Sequence, residues 1–449
     1  MKKILIIIIL FCFNLPTQAH VGEHQNNQIN DKIWHFQDKS IATEGYFLFT
    51  KNDQVFIENK TGLVQSFEVK KLSWMDKNYV NRRVTEIENL NKSITSFPQK
   101  SHSDYTLFYF LGLGIVLFFL KKSNPVPYFR YSFVLVACIF YACKKEVIDT
   151  STTTTTTTTG TTATVTNPTS LDASYSVFKP NVTTRSDNTY YYIESNGLPT
   201  HNMMVSITNW QQQVPIPQNY TGTNAWSIPL KPEFATSPLS TKSNFMKGAI
   251  AIAANGIPIF NPLNNRGEDS YLIGELDQWG GHCGKADDYH YHIPPLHLES
   301  QMNNKPIAWA LDGYAVYGSK EADGTAMQTL DQYHGHIIGT GVYHYHGNLT
   351  YPYMIGSMRG KISLDPKTAA PENQILPQAL TVPIRPAGNP LNGAAITAFA
   401  STGTNAYNLE YTVSSKKASI KYSWDNAKKY TFVFTGTDGK VTTETYQGK

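Results

Sequence analysis

Two copies of one histidine-rich motif constrain this chain more than any other feature. The first reads Leu276-Asp277-Gln278-Trp279-Gly280-Gly281-His282, then, after six residues, Tyr289-His290-Tyr291-His292. The second reads Leu330-Asp331-Gln332-Tyr333-His334-Gly335-His336, then, after six residues, Tyr343-His344-Tyr345-His346. Every matched position is offset by 54 residues, and nine of the 13 histidines lie between His201 and His346. A spacing shared by two copies marks a unit duplicated or retained for a common geometry.

Strand geometry gives the motif its chemistry. Residues two apart in an extended segment point to the same face, so His290 and His292 share one face while Tyr289 and Tyr291 share the other. The same holds for His344 and His346 against Tyr343 and Tyr345. Imidazoles at that spacing chelate one ion or flank one ligand. The upstream His282 or His336 follows a glycine, and a six-residue connection suits a hairpin loop that returns it to the same site. Asp277 and Asp331, and with them the four tyrosines, are candidates for the next layer out, where a carboxylate accepts a proton and fixes an imidazole tautomer. Three imidazoles per copy suit zinc, copper or iron better than calcium or magnesium. The competing reading is a metal-free lattice of hydrogen-bonded histidine and tyrosine in a core. His201, His297 and His334 have weaker claims on the site, and Cys283 has Ile337 at its counterpart position, which favours a structural thiol.

The ends of the chain point to the cell envelope. Residues 1–19 read as a secretory signal, with Lys2 and Lys3, an apolar run from Ile4 to Phe13, and Thr17-Gln18-Ala19 as the cleavage site. Two apolar segments, Tyr105 to Leu120 and Tyr131 to Cys143, flank Lys121, Lys122 and Arg130, so a membrane hairpin over 105–143 would hold its loop in the cytoplasm and both flanks outside. The second segment also reads as an internal lipoprotein leader with Cys143 as the lipidated residue. Either reading tethers the C-terminal part to a membrane, in the periplasm or at the cell surface.

Between these landmarks the chain reads as mainly β. Residues 20–104 carry short alternating segments that suggest a small β-barrel-like module closing in a helix near Tyr79 to Leu90; His20 and His24 could form a metal-binding N-terminus after cleavage, though two histidines on a flexible end are more often solvated. Residues 144–169 are threonine-rich, with eight consecutive threonines from Thr152, and make an extended linker. The main domain spans 170–385, where Ala249 to Ala253, Asn255-Gly256 and Ile257 to Phe260 predict a hairpin on a two-residue turn. Residues 386–449 alternate again and form a C-terminal β appendage. With 38 basic and 34 acidic side chains, and no basic cluster, nothing predicts a nucleic-acid partner.

The two YHYH copies, together with Ala310-Leu311-Asp312-Gly313-Tyr314 and Pro352-Tyr353-Met354-Ile355-Gly356, resemble the YHYH domain family of secreted proteins, over roughly residues 194–360. The linker and β tail are similar to accessories of its Bacteroidetes lipoprotein members. The resemblance implies no particular reaction. Three functions stay open: a metal-binding protein or metalloenzyme on the six histidines; a noncatalytic module whose Trp279, Trp309, Tyr314 and Tyr317 meet a glycan, a small molecule or an envelope protein; and a metal-free structural domain. Asp312 precedes a glycine, which suits a turn better than a site.

Overall fold

A computed structural model describes residues 32–59, 63–92, 168–338, 341–367 and 373–448. The signal segment, the apolar segments 105–143 with Cys143, and nearly all of the threonine-rich linker lie outside them. Among the described residues no helix is long and apolar enough to cross a membrane.

The N-terminal part is an open antiparallel meander of β1 (Lys32–His35), β2 (Ile41–Lys51), β3 (Gln54–Glu58) and β4 (Val64–Glu68), paired in that order, with a helix, Trp74–Lys92, after it. It is not the barrel that alternation suggested. Val80 and Ile87 of the helix lie over Trp34, Phe47, Val55, Ile57 and Leu72, so the helix covers one sheet face that a barrel would have closed by strand pairing. Ser73 starts the helix: its hydroxyl accepts the Asp76 amide at 3.2 Å and donates to the Asp76 carboxylate at 2.8 Å. The same buried carboxylate takes Lys32 Nζ at 2.5 Å and the His35 amide at 2.8 Å, which ties the helix start to β1.

The core of the main domain is an eight-stranded mixed sheet. Its strands are β9 (Ala249–Ala253), β10 (Pro258–Phe260), β11 (Gly281–Cys283), β12 (Tyr289–Tyr291), β13 (Ala308–Ala310), β14 (Ala315–Tyr317), β15 (Gly335–Ile338) and β16 (Val342–His346). They lie in the order β11-β12-β10-β9-β13-β14-β16-β15. β9 meets β13 antiparallel at the centre, β12 joins β10 in parallel and β16 joins β14 in parallel. The order therefore reads the same from either edge: a hairpin, then a second hairpin whose returning strand pairs beside the first.

That symmetry exposes a duplication wider than the histidine motif. Ile250-Ala251-Ile252-Ala253-Ala254-Asn255-Gly256 matches Ile307-Ala308-Trp309-Ala310-Leu311-Asp312-Gly313 at an offset of 57, and three residues are lost before the histidines. Both hairpins turn alike, with Gly256 N bonded to Ala253 O at 2.8 Å and Gly313 N to Ala310 O at 2.9 Å. Ala253 N reaches Ile257 O at 2.9 Å, so the loop holds three residues, with Gly256 at φ 78° in the left-handed position, in place of the expected two-residue turn.

Smaller sheets close the domain. β5 (Thr183–Ser186), β6 (Tyr190–Glu194) and β7 (Trp226–Pro229) form one, and β8 (Phe234–Ser240) pairs with β17 (Ser357–Gly360). β18 (Ser363–Leu364) pairs with β19 (Ile375–Leu376). The C-terminal appendage is a five-stranded meander of β20 (Ala394–Gly403), β21 (Ala406–Val413), β22 (Lys416–Trp424), β23 (Lys429–Thr435) and β24 (Val441–Gln447). It shares one apolar core with the main sheet, and Tyr422 donates its hydroxyl to Pro215 O at 2.6 Å.

The N-terminal part packs on the main domain. Leu48, Phe49 and Phe56 meet Met246 and Leu263, while Lys285 reaches Glu58 at 2.6 Å and Arg83 reaches Glu268 at 3.2 Å. Phe49→Ala empties that seam beside its stacked partner Phe56, 4.8 Å away. It is expected to cost about 3 kcal/mol. A urea midpoint lowered at unchanged slope, in the full chain, checks this.

Candidate metal centres

Strand register assembles the first centre. β11 and β12 pair antiparallel with His282 opposite His290, and His292 follows one residue past β12, its amide bonded to Gly280 O at 2.8 Å. The three rings point their Nε2 atoms inward, with His282 to His292 at 3.0 Å and His290 to His292 at 3.1 Å. Donors held about 2.0–2.1 Å from one tetrahedral ion stand about 3.3 Å apart, close to this spacing, which an N–H···N hydrogen bond would also give, so the protonation of the rings decides between the two. The Nδ1 atoms face backbone carbonyls: His290 at Asp288 O, 2.9 Å, and His292 at Asn261 O. A carbonyl only accepts, so in His290 and His292 the Nδ1 carries the proton and the Nε2 presents a lone pair. Phe260 stacks on His290 with ring centroids 4.0 Å apart and fixes its plane.

The second centre repeats this arrangement and adds a carboxylate. His336 pairs opposite His344 in β15 and β16, with Nε2 atoms 3.0 Å apart. Glu321 reaches His336 Nε2 at 3.3 Å, His344 Nε2 at 3.1 Å and His346 Nε2 at 3.2 Å. The Nδ1 atoms donate to Thr329 O at 3.1 Å, Val342 O at 3.2 Å and Gly318 O at 2.7 Å. Three lone pairs and a carboxylate thus face one another, all acceptors. Such a cluster is repulsive unless a cation or added protons lie between them.

Protons are disfavoured there. Burial, then the neighbouring His290, pulls His292 down to about 3, and burial drives His282 well below its ordinary value. Burial also lowers His344 and His346, against the opposing pull of Glu321. Burial works to raise Glu321, but the Gln328 amide and the imidazoles hold it below the usual carboxylate range.

The tyrosines and aspartates of the motif serve the opposite face. Tyr289 donates to Asp277 Oδ2 at 2.8 Å, and the same carboxylate accepts the amides of Met204, Trp279 and Gly281. Asp331 accepts Tyr343 at 3.2 Å and the amides of Tyr333 and Gly335. Asn255 donates to Tyr291 at 3.0 Å, and Tyr345 donates to the turn residue Asp312 at 2.6 Å. These groups brace turns and core rings on the side of the sheet away from the imidazole centres.

The remaining sequence candidates fall elsewhere. His201 Nε2 bonds the Tyr291 hydroxyl at 2.7 Å and packs with Trp279 and His297 on the tyrosine side. His334 donates through Nδ1 to the His346 and Met354 carbonyls and takes Asn348 on Nε2. Cys283 is buried, and burial pushes its thiol well up, away from nucleophilic chemistry. Trp309 and Tyr314 are buried in the core, where Trp309 donates to Ser174 at 3.1 Å. They present no aromatic surface to a glycan.

Glu321 was not legible from the histidine spacing. The signal for it is the wider duplication: Leu263 bridges Asp269 and Lys320 bridges Ala326, again at an offset of 57, which aligns Glu321 with Asn264.

The histidines of the first centre, His282, His290 and His292, lie in a stretch that a known family model recognises. The family model described as YHYH protein matches residues 225–329, and the chain is a YHYH domain-containing protein. No curated protein and no solved structure matches it.

Two outcomes follow from this geometry. Tyr345→Phe leaves buried Asp312 short of one donor and is expected to cost about 2 kcal/mol. Its metal content, read by elemental analysis, is expected to match the parent, because the hydroxyl faces away from the centre. In metal-free protein His292 is lowered to about 3 and His297 to about 4, both mainly by burial. The unfolded chain then binds protons first, so stability is full above the unfolded value of about 6.5 and falls as pH drops toward 4. Calorimetry across that range checks the sign.

Proposed function

We propose that this protein binds transition-metal ions, zinc, copper or iron by donor type, at His282, His290 and His292 and at His336, His344, His346 and Glu321. One observation carries the reading: His290 and His292, and likewise His336 and His344, commit their Nδ1 protons to backbone carbonyls, yet their Nε2 lone pairs face each other at 3.1 and 3.0 Å with no donor between them. A metal-free lattice would place a proton on one nitrogen of each such contact. The envelope setting rests on the sequence alone: the signal-like residues 1–19, the apolar segments over 105–143 and Cys143 support an exported chain tethered by a hairpin or a lipid, its C-terminal domain outside the cytoplasm. A glycan, small-molecule or envelope-protein partner is the second reading, and half-buried Trp279 and Tyr317 are the sequence candidates that keep surface for it.

Elemental analysis of the full chain, purified without a histidine tag, tests the metal reading. Near-stoichiometric metal in the parent, reduced in folded His290→Ala and His344→Ala variants, is the expected result. A folded parent that stays empty after exposure to zinc, copper and iron overturns it.

A further inference from the structure

The two centres are built on the same hairpins yet do not carry the same donors. Glu321 and Asn264 occupy equivalent turns: Glu321 N bonds Thr325 O and Gly324 N bonds Glu321 O, just as Asn264 N bonds Glu268 O and Gly267 N bonds Asn264 O. Glu321 sends its carboxylate into the second centre. Asn264 is spent locally. Its Oδ1 accepts the amides of Arg266 and Glu268, and its Nδ2 donates to Glu268 and Glu275, both at 3.2 Å.

The acidic groups around Asn264 do not replace the missing donor. Glu268 and Glu275 grip the Arg266 guanidinium at 2.7 and 2.5 Å, and Arg83 adds a further contact to Glu268. Asp288 lies behind the His290 ring, 3.5 Å from Nδ1, and not on the Nε2 side. The first centre therefore offers three neutral nitrogens, whereas the second offers three nitrogens and one anion. Three protein ligands leave a position for an outside ligand, and four close a tetrahedral site. A divalent ion also keeps its whole double charge among neutral donors, while Glu321 cancels half of it in the second centre. Access differs in the same direction: of the seven ligands, His282 alone is partly exposed and the other six are buried.

We infer that the His282, His290 and His292 centre keeps an exchangeable coordination position that takes water or a small anionic ligand, and that the centre closed by Glu321 holds its ion for structure. The inference rests on the metal reading above and assigns different work to the two sites. Any metal-assisted chemistry then belongs to the first centre, where the ion can polarise what it binds.

Cobalt(II) reports both occupancy and coordination in the full chain, with azide as the small-anion probe. The parent is expected to take up two cobalt ions per chain, one for each centre, and to change its visible spectrum with azide. His344→Ala is expected to keep one ion and the azide response; His290→Ala is expected to keep one ion and lose the response. Glu321→Ala removes the fourth donor of the second centre and is expected to add a second azide response. His290→Gln and His344→Gln carry the same comparison should an alanine variant fail to fold. A response that survives in the His290 variants and vanishes in the His344 variants overturns the assignment, as do equal responses from the two sites. A parent that binds no cobalt overturns the metal reading itself.

Discussion

Period-two alternation along β12 and β16 is the constraint on which the rest depends. It sends Tyr289, Tyr291, Tyr343 and Tyr345 into the core and the paired imidazoles to the other face. Each such ring buries on the order of 200 Å², and its hydroxyl finds an aspartate or asparagine fixed in a turn. A slip of one residue would exchange the faces, putting imidazoles against the apolar core and tyrosines into the centre. The core thereby locks the register, and the register places the Nε2 atoms. Backbone carbonyls then set the tautomers of His290, His292, His336, His344 and His346, so the fold itself fixes which nitrogens face one another.

The docking of the N-terminal part follows from apolar matching more than from charge. Lys285 stands in the loop joining β11 to β12 and reaches both Glu58 and Tyr46. It is half exposed, and such pairs contribute little. The seam of Leu48, Phe49 and Phe56 against Met246 and Leu263 carries the contact. A segment whose sequence reads as an independent module thus becomes a buttress beside the hairpin that holds His282 and His290.

The clustering of the histidines was legible because the face a strand residue takes depends on spacing, and spacing is written in one dimension. The β class was legible for the same reason. Glu321 was not, because it reaches its centre from a turn separated from His336 by a loop, and only the pairing of Lys320 with Ala326 shows that this turn repeats the one holding Asn264. The change of offset from 57 to 54 hid the wider repeat from a search at one fixed spacing. The N-terminal meander reads as a barrel from sequence because alternation reports that a face is buried, not whether a strand or a helix covers it.

The antiparallel meeting of β9 and β13 at the middle of the sheet resembles the joint between two subunits of a symmetric dimer, here written in a single polypeptide. In a true homodimer one gene supplies both halves, so any substitution at a ligand position appears twice. Tandem linkage removes that obligation. Asparagine can stand in one half and glutamate in the other, and each half is free to be altered while its twin preserves the shared scaffold.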